Sequence, residues 1–149
     1  MRRLTGTIVI DRPVEDVFAF LADGENDIKF SPRLTSIERT SPDEAGAGVG
    51  TTYASTAKEI GLKTKHEFRI TEYEPPRRIR WTELTRAPVY IGDGGYDLAP
   101  AGDGATRLTF FNDLEARGVG KLIVGSIHRR YARNTGDFAQ RIKRAVEAG

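Results

Sequence analysis

Apolar and polar positions recur along this chain in two rhythms. Residues 4 to 10 alternate weakly and are rich in Thr, Ile and Val, the composition of a strand. Asp11-Arg12-Pro13 then starts a helix: Pro is tolerated in a first turn, and Glu15 and Asp16 suit the positive end of the dipole. Val14, Val17, Phe18 and Leu21 fall at i, i+3, i+4 and i+7, so one face is apolar, and the helix stops near Asp23-Gly24. Residues 25 to 31 form a second helical piece that must end before Pro32, because a residue ahead of proline is pushed out of the helical region.

From about 34 to 114 the rhythm changes to period two. The expected strands are 34 to 40, 50 to 60, 62 to 74, 77 to 86, 89 to 99 and 105 to 115. Turn signals separate them at Ser41-Pro42-Asp43-Glu44-Ala45-Gly46, Gly61, Pro75-Pro76, Ala87-Pro88 and Pro100-Ala101-Gly102-Asp103-Gly104. Connections this short force antiparallel neighbours, since a parallel crossover needs a dozen or more residues. The last 30 residues return to a helical period. On a helical wheel Ile123, Ile127, Tyr131, Asn134, Phe138, Ile142 and Ala145 share an arc of roughly 120° to 220°, which predicts one long amphipathic helix over about 119 to 147.

This order predicts an α+β chain forming a single domain over 1–149. A curved seven-stranded antiparallel sheet would grip the long C-terminal helix, with two short helices after the first strand. One helix cannot fill a wide concave sheet, so a cavity between them is the physical expectation.

Composition narrows the chemistry. The 149 residues are 38% hydrophobic and 30% charged, as in a folded globular chain. Zero cysteines exclude a disulfide scaffold, a thiol nucleophile and a thiolate metal site. His66 and His128 stand far apart with no metal-ligand spacing, so neither a metal nor a cofactor is expected. No run approaches the 18 or so apolar residues of a membrane span, and the start passes straight into strand-like sequence, so a cytoplasmic protein is expected. The net charge of +2 conceals a basic C-terminal segment: Lys121, Arg129, Arg130, Arg133, Arg141, Lys143 and Arg144 face only Asp137 and Glu147 there.

Three segments carry a family resemblance. The run Ile8-Val9-Ile10-Asp11-Arg12-Pro13-Val14-Glu15-Asp16-Val17-Phe18-Ala19-Phe20-Leu21-Ala22-Asp23, with Asn26 and Phe30-Ser31-Pro32, resembles the opening of the polyketide cyclase/dehydrase and lipid-transport proteins. These belong to the START-like (birch-allergen-like, SRPBCC) superfamily. Glu72 to Trp81 resembles the hairpin between central strands of that family, and Tyr96-Asp97-Leu98-Ala99-Pro100 with Gly102 to Thr109 its last hairpin. The resemblance implies the helix-grip fold over nearly the whole chain. It leaves function open, because one scaffold serves enzymes, carriers and receptors. No catalytic signature of the family's aromatase/cyclases can be placed on these residues.

Strand alternation supplies candidate site residues. Leu62, Thr64, His66, Phe68 and Ile70 should face inward, so His66 would act as proton carrier or polar handle, or else be a neutral histidine satisfied by a neighbouring strand. Glu83 shares a side with Ile79 and Trp81 near a strand end, as a rim carboxylate or as a pocket acid with a raised pKa. Asn112, beside Phe110, and Asn134 on the helix arc are amides suited to fixing a hydroxyl or carbonyl, or else to pairing with each other or capping buried backbone. Tyr53, Tyr96, Tyr131 and Ile127 complete the expected lining. Two glycine clusters carry no nucleotide site: Gly46-Ala47-Gly48-Val49-Gly50 precedes a strand, and Gly118-Val119-Gly120-Lys121 lacks the frame of a phosphate loop.

The leading expectation is a domain that binds a small hydrophobic molecule, lipid-like, polyketide-like or polycyclic. A cyclase, aromatase or dehydratase using His66 and Glu83 is the second. The third is an interaction module using the basic helix face, although no specific nucleic acid is expected. Oligomeric state is not legible in the sequence.

Overall fold

The computed structural model describes residues 2–42, 46–59 and 61–149. The predicted turn through Asp43, Glu44 and Ala45 and the predicted strand end at Ile60 lie outside the described residues. Strand β1 (Arg2–Ile10) leads into helix α1 (Val14–Ala22) and a 3-10 helix (Gly24–Lys29). Six strands follow: β2 (Leu34–Arg39), β3 (Thr52–Glu59), β4 (Leu62–Glu74), β5 (Arg78–Glu83), β6 (Val89–Pro100) and β7 (Thr106–Ala116). All neighbours are antiparallel in the order β1-β7-β6-β5-β4-β3-β2. Because β1 pairs β7 at one edge and β2 lies at the other, α1 and the 3-10 helix carry the chain across the sheet's full width. This is the α+β helix-grip arrangement expected from the order of elements.

Helix α1 buries the face its spacing marked, with Val17, Phe18, Leu21 and Ala22 out of solvent. They join Ile10, Leu108 and Ile142, all fully buried, in one core. Burying such aliphatic side chains stabilises the fold by about 1.5 to 3 kcal/mol each. Asn26 donates its amide to the Phe20 carbonyl at 2.8 Å and ties the 3-10 helix to α1.

Strand β4 changes phase within its length. Tyr73 pairs with Ile79 and Ile70 with Trp81, so an extra residue at Thr71 forms a bulge. On the hairpin side the odd residue Tyr73 points inward and meets Phe18 edge-on at 5.3 Å. Beyond the bulge the inward residues are even, which keeps Ile70, Phe68 and His66 on the concave face.

The C-terminal segment corrects the single-helix expectation. Two helices form, α2 (Gly120–Ala132) and α3 (Thr135–Ala148), broken at Arg133 and Asn134. Asn134 leaves helical geometry at φ −109°, ψ 4°. It precedes Thr135 and Gly136, and Gly costs about 1 kcal/mol relative to Ala inside a helix, so the Asn-Thr-Gly run is the local cause. In α3 the wheel's arc holds for Ile142, which is buried, and for Phe138 and Ala145, which pack against the core, while Ala139 and Val146 beside the arc are buried too. It fails at Ile123, which is exposed.

Candidate functional site: a cavity under the C-terminal helices

Between the concave face and the C-terminal helices lies a cavity of about 400 Å³. That volume sits in the usual range for small-molecule sites, roughly 300 to 1,000 Å³. Central strands give its floor: Phe68, Trp81, Tyr96, Phe110 and Asn112 all line it, as alternation predicts. Tyr53 and His66 line its β3–β4 side, and Ile127 and Tyr131 of α2 close it from above. Asn134 is not among them. The helix break turns it away to solvent, where its amide reaches only the Arg130 carbonyl, at 3.5 Å. The expected pairing of the two amides therefore does not form, and Asn112 instead accepts from the Trp81 indole at 3.2 Å.

Space for that indole depends on Gly94. A Cβ there would stand 2.3 Å from the Trp81 Nε1 and 2.4 Å from the Asn112 Oδ1, so only glycine admits the pair. Tyr96 packs edge-on against the same indole with ring centroids 4.9 Å apart.

One polar cluster lies on the β4–β5 wall. The register sets Glu83 opposite Phe68, one inward position from His66, and His66 Nδ1 lies 2.8 Å from Glu83 Oε2. The second Glu83 oxygen accepts the Ile91 backbone N–H at 3.0 Å. The Glu83 side chain is only 3% exposed, so this is a buried pocket carboxylate and the rim alternative is corrected. The β5–β6 ladder ends at Trp81 and Gly94, and beyond it the Glu83 side chain reaches the Ile91 N–H of β6, so a strand end in sequence is not an edge in space. His66 is held at both nitrogens, since Nε2 lies 2.9 Å from the Thr64 hydroxyl, which also reaches Glu59 at 3.1 Å. Hydrogen bonding to Glu83 raises the His66 pKa above its ordinary value against the opposing effect of burial, with the Glu83 and Glu59 charges adding to the rise.

Arg33 continues this cluster toward α2. Its guanidinium stacks over the Tyr131 ring at 4.0 Å and lies 3.9 Å from Glu59. Sequence reasoning passed over Glu59, although Tyr53, Ser55, Ala57 and Glu59 share the inward face by the same alternation. It also passed over Asp27, a cavity-lining residue of the 3-10 helix. Burial, with a smaller contribution from the Asp23 charge, pushes the Asp27 carboxyl up to about 8.

The basic face of the C-terminal segment is partly neutralised. Lys143 contacts Glu147 at 2.6 Å and Asp11 at 3.5 Å, and Arg141 pairs with Asp137 at 2.8 Å. Among the described residues no group of three or more His, Cys, Asp or Glu could hold a metal ion. No described helix is long and apolar enough to cross a membrane.

Comparison with known proteins places this architecture. The family model described as polyketide cyclase/dehydrase and lipid transport matches residues 1–147, and the chain belongs to that family. No curated protein sequence matches it. Among solved structures, TTHA0849 from Thermus thermophilus superimposes with a TM-score of 0.78 at 18% identity, covering 98% of this chain and 97% of that one. The Zhui aromatase/cyclase from Streptomyces sp. R1128 gives 0.76 at 19% identity, covering 98% and 93%. The di-domain ARO/CYC BexL from the BE-7585A biosynthetic pathway gives 0.76 at 19% identity over 99% of this chain, which spans 47% of BexL. Likeness at these identities is one of fold.

Proposed function

We propose that this protein binds a small hydrophobic molecule in the cavity beneath α2, with the ligand's polar end directed at His66. The observation that carries the reading is an aromatic-walled cavity of about 400 Å³ with its polar groups gathered in discrete places. Apolar walls supply affinity through burial, and a few fixed polar groups supply orientation. Membership of a family that includes lipid-transport proteins supports it further.

A cyclase or dehydratase acting on a polyketide-like chain is the second reading. The 2.8 Å His66–Glu83 contact favours it, because a carboxylate-oriented imidazole can carry protons and a shaped cavity can fold a reactive chain. The Zhui and BexL likenesses point the same way. Binding ranks first because both His66 nitrogens and both Glu83 oxygens already have protein partners. A proton transfer to substrate would have to displace Thr64 from Nε2.

Titration with a fluorescent naphthalene sulfonate tests the binding reading. The wild type should take up one probe per chain, and His66→Gln, which can still hydrogen-bond Glu83, should alter the affinity without loss of fold. Native mass spectrometry of the protein from its producing cells should show a retained apolar molecule. A chain that binds no probe and retains nothing would refute the proposal.

A further inference from the structure

We infer that the Asp27 carboxyl and the Tyr96 hydroxyl form a second polar pole of the cavity, which fixes an uncharged carbonyl oxygen at the far end of the ligand from His66. This rests on the binding reading above and adds a ligand class to it: an elongated ring system bearing a ketone or similar neutral acceptor.

The geometry separates the two poles. Tyr96 pairs with Ile79, whereas Glu83 lies four residues further along β5, about 13 Å at the usual rise per residue. Trp81 fills the floor between them. Tyr96 is 6% exposed and lines the cavity, and its hydroxyl makes no hydrogen bond among the described residues. The hydroxyl opens on the cavity, so a ligand oxygen delivered to it gains a hydrogen bond that the protein itself leaves unmade.

Asp27 reaches the same region from the 3-10 helix. It too lines the cavity without a hydrogen bond from its carboxyl among the described residues. Asp27, Tyr96 and Tyr53 line the same cavity, and Gly24 of the Asp27 turn lies against the Tyr53 ring; the Asp27 charge adds to the rise in both tyrosine pKa values, with burial the larger cause for each. Tyr53 is not equally available, because the Gly24 backbone N–H already engages its hydroxyl.

Among the described residues no cation offsets the Asp27 charge. From the start of its own turn Asp23 adds a like charge, and from β3 and β6 come only the two phenols. Arg39 of β2 acts on Tyr53 while its guanidinium is hydrogen-bonded to Ser41 and to the Pro42 and Gly46 carbonyls. With its pKa pushed up to about 8, Asp27 is mostly a neutral carboxylic acid at pH 7 and can donate to a carbonyl. Above that pH it becomes an acceptor that repels one. A carboxylate at this end of a ligand would be rejected for the same reason.

The test compares two fluorescent probes: 6-propionyl-2-dimethylaminonaphthalene, whose emission reports hydrogen bonding to its ketone, and naphthalene, which has no acceptor. At pH 6.5 the ketone should bind about tenfold more tightly, the effect of roughly one to two buried hydrogen bonds. Tyr96→Phe and Asp27→Leu should each remove most of that preference, read as the ratio of ketone to naphthalene affinity within the same variant. Raising the pH from 6.5 to 9.5 should weaken the ketone several-fold in the wild type and have little effect in Asp27→Asn, which keeps a neutral donor. If the ketone preference survives both Tyr96→Phe and Asp27→Leu at every pH, the second pole is overturned while the cavity stands. If neither probe binds, the cavity reading falls and this inference falls with it.

Discussion

The two C-terminal helices are nearly equal in length and continuous in sequence, yet they do different work. Helix α3 is fastened to the core: Ile142 is fully buried, and Phe138 meets Phe30 and Phe110 edge-on at 5.7 and 5.3 Å. Helix α2 buries only Gly120 and leaves Leu122 at 85% exposure. Its inward residues, Ile127 and Tyr131, line the cavity, and Tyr131 is held there by the Arg33 guanidinium stacked on its ring. The difference shows how one amphipathic segment can supply both a structural post and a cavity roof. A packed helix resists movement because every displacement opens a void, whereas a helix over a cavity can shift at small cost.

Substitutions can break this contrast. Ile142→Ala should cost the most, about 3 to 4 kcal/mol in chemical denaturation, within the range for truncating a fully buried aliphatic side chain. A cost below about 1 kcal/mol would mean that α3 is not the post. Ile127→Ala should cost less than about 1 kcal/mol, because its methyl groups face a cavity, yet weaken naphthalene-probe binding several-fold. The reverse pattern, lost stability with intact binding, would erase the distinction between the helices.

The smallest expected effect concerns pH on the roofed side. The raised His66 pKa means that the folded state holds this proton more tightly than the unfolded chain does. Its contribution to stability is fully present below the unfolded value near 6.5 and is lost as pH rises through the higher folded value. Denaturation midpoints of the wild type should therefore fall over that interval, and those of His66→Gln should lack the step. A step of the opposite sign would show that Glu83 does not hold the proton on the imidazole.

Most of the strand positions could be read from alternation, because each faces one apolar side and one solvent side. The readings that missed depend on contacts between distant segments. Phase past Thr71 could be read within β4 but not its bulge, since the extra residue becomes visible only against the register with β5. Glu83 reads as a rim residue because nothing local reveals that the Ile91 N–H will meet it. Asp27 looks like an ordinary acidic residue near a helix start, favourable for the dipole. Its role comes from the sheet that closes over it. The helix break was legible in principle: Asn134-Thr135-Gly136 is a poor helical run that an unbroken apolar arc outvoted.

Trp81 is the chain's sole tryptophan, and it stands midway along the cavity floor with its indole N–H committed to Asn112. Its emission therefore comes from one place and one hydrogen-bonding state. Occupancy of the cavity replaces whatever medium lies against the ring's open side, so the colour and lifetime of intrinsic fluorescence become a direct optical record of loading. Tyr96, 4.9 Å away, is positioned to pass excitation to the same indole. The molecule thus carries its own unlabelled gauge of what it holds, readable in real time.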